Sequence, residues 1–560
     1  MPRSSSIPLR LALVASAVLA AACSRAPEPA AAPAAATASA PVPAAPSAVA
    51  QIAKHQDEGI AWIKATGPEE VERAFAQARG ANKPVFVYWG AVWCPPCNQV
   101  KATIFNRDDF IEKSRAFVPI YLDGDLPGAQ KLGEKFKVRG YPTMILFRPD
   151  GSELTRLPGE VDARKYLQVL SLGLGQARPV KEVLGQALRQ PKRLSAEDWR
   201  LLAYYSWDTD EQQLLAPGKQ ADTLARLAAE CPPTAAQAGQ RLGLKALVAR
   251  ADDEFKGRPL DAGSAAAARD GALALLADDA QVQDNLDIVT NYAAELVKVL
   301  SAKGTPEREQ LAAAFATTLD RLTADTRLSQ GDRIGALISR IAIAQLDDPK
   351  AALSPVLLEH VRAQVARADR EVTSDVERQS VITSAGHALS KAGLLDESDT
   401  LLEAEIKRSH SPYYSMLQLA SNAKKRGDKA AALRWYERAY AESKGPATRV
   451  QWGANYVTAL VDLAPQDAQR IEQAAASVYA ELDGQRDAFY ERNARSLERI
   501  NAKLAGWATT PERRAATQRL RASLDQRCGT LPAGDAQRAT CGALGRQLAG
   551  GKPAAKSATT

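Results

Sequence analysis

Pro84-Val85-Phe86-Val87-Tyr88-Trp89-Gly90-Ala91-Val92-Trp93-Cys94-Pro95-Pro96-Cys97 is the stretch whose reading decides the fold. Its first part, Val85 to Trp89, is a short β-rich apolar run of the kind that forms a buried central strand. Gly90 and Ala91 turn the chain, and a polar-faced helix is expected from the cysteines toward Lys101. Two residues between cysteines on the first turn of a helix bring the sulfurs within disulfide range without moving the backbone. Cys94 then sits at the helix N-terminus, where unsatisfied N–H groups and the helix dipole favour a thiolate. It is therefore expected to be the more acidic and more exposed thiol. Pro95 is tolerated because a first-turn N–H has no intrahelical partner to lose. Cys97 points back into the domain and is expected to resolve a mixed disulfide formed at Cys94. Structural zinc is the rival use of such a pair, but it wants a second Cys or His pair, and none is near.

The flanking sequence supplies the rest of a small α/β unit. Glu69 to Arg79 carries Val71, Phe75 and Ala78 on one helical face and stops near Gly80. Phe117 to Leu122 reads as a second strand, Lys131 to Phe136 as part of a helix, and Thr143 to Phe147 as a third strand. Asp150 and Gly151 turn into a fourth strand, Leu154 to Leu157, and Asp162 to Leu170 closes with a helix. The expected domain, residues 51–172, is a central mixed sheet flanked by helices.

The apolar strand, the aromatic Trp93 before the CPPC, and the later Arg139-Gly140-Tyr141-Pro142-Thr143 resemble the thioredoxin superfamily. The likeness is to its periplasmic thiol:disulfide interchange type and to the C-terminal domain of bacterial disulfide-relay reductases, and it covers roughly residues 67–171. It implies a thiol–disulfide oxidoreductase with Cys94 and Cys97 catalytic, protein thiol or disulfide substrates, an upstream redox partner, and no cofactor or metal. It also implies that Pro142 is cis and packs on the active-site disulfide, and that Tyr141 offers backbone groups to an extended substrate. Trp93, Pro95 and Pro96 complete the expected substrate contacts, although Trp93 also reads as packing beside the disulfide and Trp89 as core. Gly159 matches a family glycine after the hairpin. The family's buried acid, which assists the resolving thiol, has no match, since Val87 and Tyr88 occupy its place. Proton transfer at Cys97 is then expected to use water or another side chain.

The N-terminus reads as an export signal over residues 1–22, with Arg3 and Arg10 ahead of an apolar run from Leu11 to Ala22 that is too short to span a bilayer. Leu19-Ala20-Ala21-Ala22-Cys23 resembles the lipobox of bacterial lipoproteins, with Ala20 where that family prefers Leu. The resemblance implies lipidation of Cys23 and an N-terminal membrane anchor. Ser24, in place of the Asp that commonly retains lipoproteins at the inner membrane, implies a periplasmic protein tethered to the outer membrane. Residues 24–50, almost all Ala, Pro, Ser, Thr and Val, lack the large apolar side chains needed to offset chain entropy and read as a semi-extended tether, so 23–50 is anchor plus linker.

Beyond residue 172 the strand signals vanish. Residues 173–370 are expected to form one helical domain, with Leu286, Val289, Ala293, Leu296 and Leu300 as a clear apolar stripe. Within 371–550, Gly393 and Gly427 are 34 residues apart, as are Leu402 and Tyr436, a helix–turn–helix period that resembles tetratricopeptide repeats. An irregular bundle is the alternative. The fold class is thus an α/β thioredoxin-like domain followed by an all-α helical-repeat or bundle region, with 551–560 a tail. Tyr413, Tyr414, Trp435, Tyr440, Trp452 and Tyr456 either line a binding groove or fill the core between helices. Cys528 and Cys541, separated by a turn-rich interval, are expected to form a structural disulfide, the alternatives being two free buried thiols or a second redox pair that exchanges electrons with Cys94; Cys231 is then the odd one out, a buried thiol. The net charge is +7, from 72 basic and 65 acidic residues spread widely. No basic stripe with interleaved aromatics suggests nucleic acid. Two functional readings follow: a redox enzyme whose helical region binds clients or partners, or a non-catalytic, chaperone-like adaptor with a thioredoxin-like docking module.

Overall fold

The computed structural model describes residues 59–550 apart from 139, 160–161, 176–177, 211–212, 217 and 252–259. The export signal, Cys23, the tether and the tail at 551–560 lie outside the described residues. The redox domain runs β1 (Ile63–Lys64), α1 (Pro68–Ala81), β2 (Val85–Gly90), α2 (Pro95–Val100), α3 (Asp108–Ser114), β3 (Val118–Asp123), α4 (Ala129–Lys135), β4 (Thr143–Phe147), β5 (Glu153–Leu157) and α5 (Ala163–Gly175). The five strands lie in the order β1-β3-β2-β4-β5. β3 pairs parallel with β1 and β2, while β4 and β5 are antiparallel additions beside β2. This is the mixed, helix-flanked sheet expected.

Alternation along β2 decides which side chains meet the motif. Val85, Val87 and Trp89 face α1 and α4. Phe86 and Tyr88 face the other way, into the layer that holds Cys94, Cys97, Phe105, Phe110 and Tyr166. At the far edge Arg156 of β5 is wholly buried. Its guanidinium donates to the carbonyls of Phe136 (2.8 Å), Lys137 (2.9 Å) and Thr209 (2.8 Å) and pairs with Glu153 at 2.9 Å. The Ser206 N–H donates to the Arg156 carbonyl at 3.0 Å.

From Val180 to Leu548 every described element is helical. The stripe from Leu286 to Leu300 is buried throughout. It does not form one helix, however: Tyr292, at φ −126° and ψ 16°, divides it into Leu286–Asn291 and Ala293–Leu300. Gly393 and Gly427 take φ of +84° and +80° just after the helices Asp375–Lys391 and Tyr413–Arg426. A Cβ on either would touch nothing, so it is the left-handed backbone alone that favours glycine there. Cys528 and Cys541 are joined, with Cα atoms 5.7 Å apart. Cys231 is half-buried, its thiol donating to the Ala235 carbonyl at 3.3 Å.

The expected redox domain and the expected 371–550 region share one core, while residues 173–370 pack mainly into apolar clusters of their own. A single apolar cluster runs from Phe86 and Tyr88 through Trp93 and the two cysteines to Tyr413, Trp452, Tyr479 and Leu548. Of the six aromatics, Tyr413, Tyr440, Trp452 and Tyr456 are buried, as the inter-helix reading required, while Tyr414 and Trp435 are half-buried against the same cluster. Among the described residues no helix is long and apolar enough to cross a membrane, and no three potential ligands converge as for a metal.

Candidate active site

Cys94 is the N-cap of α2, in extended backbone at φ −72° and ψ 116°, and its Sγ accepts the Cys97 N–H at 3.3 Å. Pro95 and Pro96 begin the helix where no N–H is missed; Pro95 is buried and Pro96 exposed. The loop before Cys94 is stitched by Asn98, whose Nδ2 donates to the carbonyls of Val92 (2.8 Å) and Cys94 (3.0 Å). Both cysteines are free thiols. The Tyr141–Pro142 peptide is cis, and Pro142 lies against Gly159, where a Cβ would come within 3.3 Å of its ring.

One expectation fails. Cys94 is 2% exposed and Cys97 fully buried. Burial, with Cys97 beside it, pushes the Cys94 thiol well above its ordinary pKa. The helix terminus still favours the thiolate, but desolvation of a buried anion outweighs it. The cause is a cover laid by the helical region. The helix Asp375–Lys391 packs on α2, and its Gln379 Nε2 donates to the Trp93 carbonyl at 3.1 Å. His410 Nε2 donates to the Val92 carbonyl at 3.2 Å. Trp93 itself is buried between Trp452, edge-on with ring centroids 4.9 Å apart, and Tyr414, stacked at 6.0 Å.

A polar lock sits beside this aromatic wedge. Asp125, just after β3, accepts Trp93 Nε1 at 2.7 Å, the Thr448 N–H at 2.9 Å and the Arg492 guanidinium. Arg492 is 8% exposed at its side chain and lies over the rings of Trp93 and Tyr141, 5.4 and 5.3 Å from their centroids. Gln130 of α4 completes the seam: its N–H donates to Asp487 and its Oε1 accepts the Arg492 N–H, both at 2.8 Å. Gly445, at φ +91°, passes so close that a Cβ would lie 2.7 Å from that of Asp125. Asp125, Thr448, Gln379, His410 and Arg492 escaped the sequence reading because neither periodicity nor a motif marks them; each acts across more than 280 residues of chain except Asp125 with Trp93.

On the sheet side, Tyr88 stacks on Tyr121 of β3 with centroids 5.2 Å apart. The Tyr121 hydroxyl donates to Asp123 at 3.1 Å, and Asp123 also accepts the Asp125 N–H at 2.9 Å. Burial first, and the neighbouring Asp125 second, raise the Asp123 carboxyl from 3.8 to about 6.

A dithiol at the start of a helix, set on a mixed five-stranded sheet whose fourth strand follows a cis-proline, can pass between two thiols and one disulfide, and that defines the thioredoxin-like class. A family model described as a thioredoxin-like domain matches residues 71–173. Thioredoxin from Mycolicibacterium smegmatis is 33% identical over 92 residues, 16% of this chain and 80% of that protein. "Thiol:disulfide interchange protein DsbD" of Pseudomonas fluorescens is 33% identical over 112 residues, 19% of each chain. "Thiol:disulfide interchange protein DsbD 1" of Pseudomonas aeruginosa is 29% identical over 106 residues, 18% of each. The chain thus spans less than a fifth of the length of these interchange proteins. Through its redox domain the chain belongs to the thioredoxin-like family, and thiol–disulfide exchange is the chemistry this supports.

Proposed function

We propose that the chain is an exported oxidoreductase that exchanges disulfides with periplasmic proteins, held to the outer membrane through lipidated Cys23, with its helical region selecting clients or partners. In the reducing direction the Cys94 thiolate bonds to one substrate sulfur, and the substrate S–S breaks with its electron pair on the other sulfur, which takes a proton. Cys97 then bonds to Cys94 and the second substrate sulfur leaves with its electrons and a proton; the substrate gains two electrons and the pair becomes a disulfide. Oxidation of a substrate is the reverse. Trp93, Pro95, Pro96, Tyr141 and Pro142 are the proposed substrate contacts.

The observation that carries this reading is the free Cys94/Cys97 pair at the start of α2, with the Cys97 N–H aimed at the Cys94 sulfur. The cover on Trp93 and Val92 supports a gatekeeping part for the helical region, since a protein disulfide reaches Cys94 only when those helices lift. The burial of both sulfurs also favours a second reading, a non-catalytic adaptor whose thioredoxin-like part only docks. Insulin reduction or oxidative refolding by the full chain separates the two. Turnover that Cys94→Ser abolishes, with Cys97→Ser accumulating Cys94-linked adducts on non-reducing gels, is the expected result. Equal activity in the parent and Cys94→Ser proteins would establish the adaptor.

A further inference from the structure

Tyr88 stands where the sequence offered no acid for the resolving thiol. Its ring lies on the motif side of β2, in the same apolar layer as Cys94 and Cys97. The residue is 1% exposed, and its hydroxyl has no conventional hydrogen-bond partner. A Cβ on Gly90 would lie 2.6 Å from that hydroxyl, so the backbone there leaves space that a larger residue would take from it. The groups that bear on the phenol are Cys97 and Cys94 at the start of α2 and Tyr121 from β3, and of the two sulfurs Cys97 bears on it more strongly. Lys101 and Asp123 lie beyond them, and Tyr414 bears on Cys94 from the helical region.

We propose that the Tyr88 hydroxyl is the group that holds negative charge on the Cys97 sulfur, as a neutral hydrogen-bond donor, in the step that resolves the mixed disulfide. The proposal rests on the disulfide-exchange reading above. A buried O–H with no competing acceptor is free to donate to a thiolate, and a hydrogen bond to an ion is stronger than one between neutral groups. Burial and the neighbouring thiols raise the Tyr88 pKa well above its ordinary value, so the phenol keeps its proton and does not serve as a base. In resolution, Cys97 gives up its proton and its sulfur bonds to Cys94. The bond from Cys94 to the substrate breaks, and the substrate sulfur leaves with the electron pair and is protonated. Tyr88 donates to Cys97 while that charge builds and releases it once the Cys94–Cys97 bond has formed. In the opposite direction Cys97 is the leaving sulfur, and the same donor stabilises it. This differs from a buried carboxylate, which takes up a proton and works by charge.

The test uses the full chain carrying Cys23→Ser and Cys231→Ser, with Cys94 and Cys97 reduced and the Cys528–Cys541 bridge intact, and dithiobis(nitrobenzoate), from which attack by Cys94 releases one thionitrobenzoate and resolution by Cys97 a second. Tyr88→Phe keeps the ring and its packing. The first release is expected to be unchanged within about twofold, which also reports that the fold is intact. The second is expected to slow on the order of tenfold, with its pH–rate profile moved to higher pH, as for loss of a donor to a charged group. A second release with the parent rate and pH profile in Tyr88→Phe would overturn the proposal while leaving disulfide exchange standing. A single release from the parent, matching Cys97→Ser, would remove the exchange reading and this inference with it.

Discussion

Asp123 shows how one buried carboxyl writes itself into stability. Taken from water and set near Asp125, it holds its proton to about pH 6, against an ordinary value of 3.8. The folded state binds that proton more tightly than the unfolded chain does. The stabilisation is therefore complete below about pH 3.8 and is lost as pH rises through about 6. Asp123→Asn stays neutral and can still accept from Tyr121 and from the Asp125 N–H. Above pH 6 it is expected to be more stable than the parent by about 3 kcal/mol, with the difference vanishing below about pH 3.8. Urea melts across that range check it; a constant difference at every pH would contradict the assignment. Asp123 carries no local pattern that separates a strand-end packing residue from an electrostatic one. By contrast the positions of Cys94 and Cys97 at a helix start were legible because that is a local statement, and the cis bond at Pro142 was legible only through the resemblance of its motif.

At the scale of elements, the reading succeeded where one periodicity ran uninterrupted. The apolar runs in β2 and β4 announced themselves, the Asp150–Gly151 turn marked β5, and the closing helix needed only its amphipathic face. The two-residue β1 and the short α3 went unread, since neither is long enough to show a period and both depend on packing against the sheet. Glycines report the same division between local and distant causes. Gly393 needs its left-handed backbone and nothing else, whereas Gly445 needs both its φ of +91° and the absence of a Cβ beside Asp125. Gly393→Ala is expected to destabilise by about 1 kcal/mol, and Gly445→Ala by about 2–3 kcal/mol, because it adds a clash to the strain. Thermal unfolding of the two full-length variants ranks them, and equal losses would mean that the approach to Asp125 carries no weight.

For the molecule as a whole, the decisive contacts join residues hundreds of positions apart, and no sequence window could contain them. Removing Arg492 leaves the partly buried Asp125 carboxylate without its cation and strips the aromatic wedge of its charged neighbour. Breaking a buried pair from one side is strongly destabilising. Arg492→Ala is therefore expected to speed iodoacetamide labelling of reduced Cys94 on the order of tenfold or more, while Cys231, outside this seam, labels at its former rate. Arg519→Ala, which loses only the largely exposed pair with Glu472, should leave both rates alone. Mass-spectrometric mapping of the labelled thiols gives all four rates. Acceleration at Cys231 as well would point to global loosening and not to release of the cover.

Arg156 bears on a different matter, the modularity of the chain. Its guanidinium reaches the Thr209 carbonyl, and its own carbonyl takes the Ser206 N–H, so the edge strand of the sheet is finished by backbone that follows it by some fifty residues. A fragment cut near residue 173 would strand one donor of a fully buried cation and bare the apolar face around Trp93 at once. The thioredoxin-like unit is in this sense not a cassette. Its boundary in sequence, so visible as a change of composition, is not a boundary in folding, and grafting it onto another partner would mean rebuilding two of its surfaces.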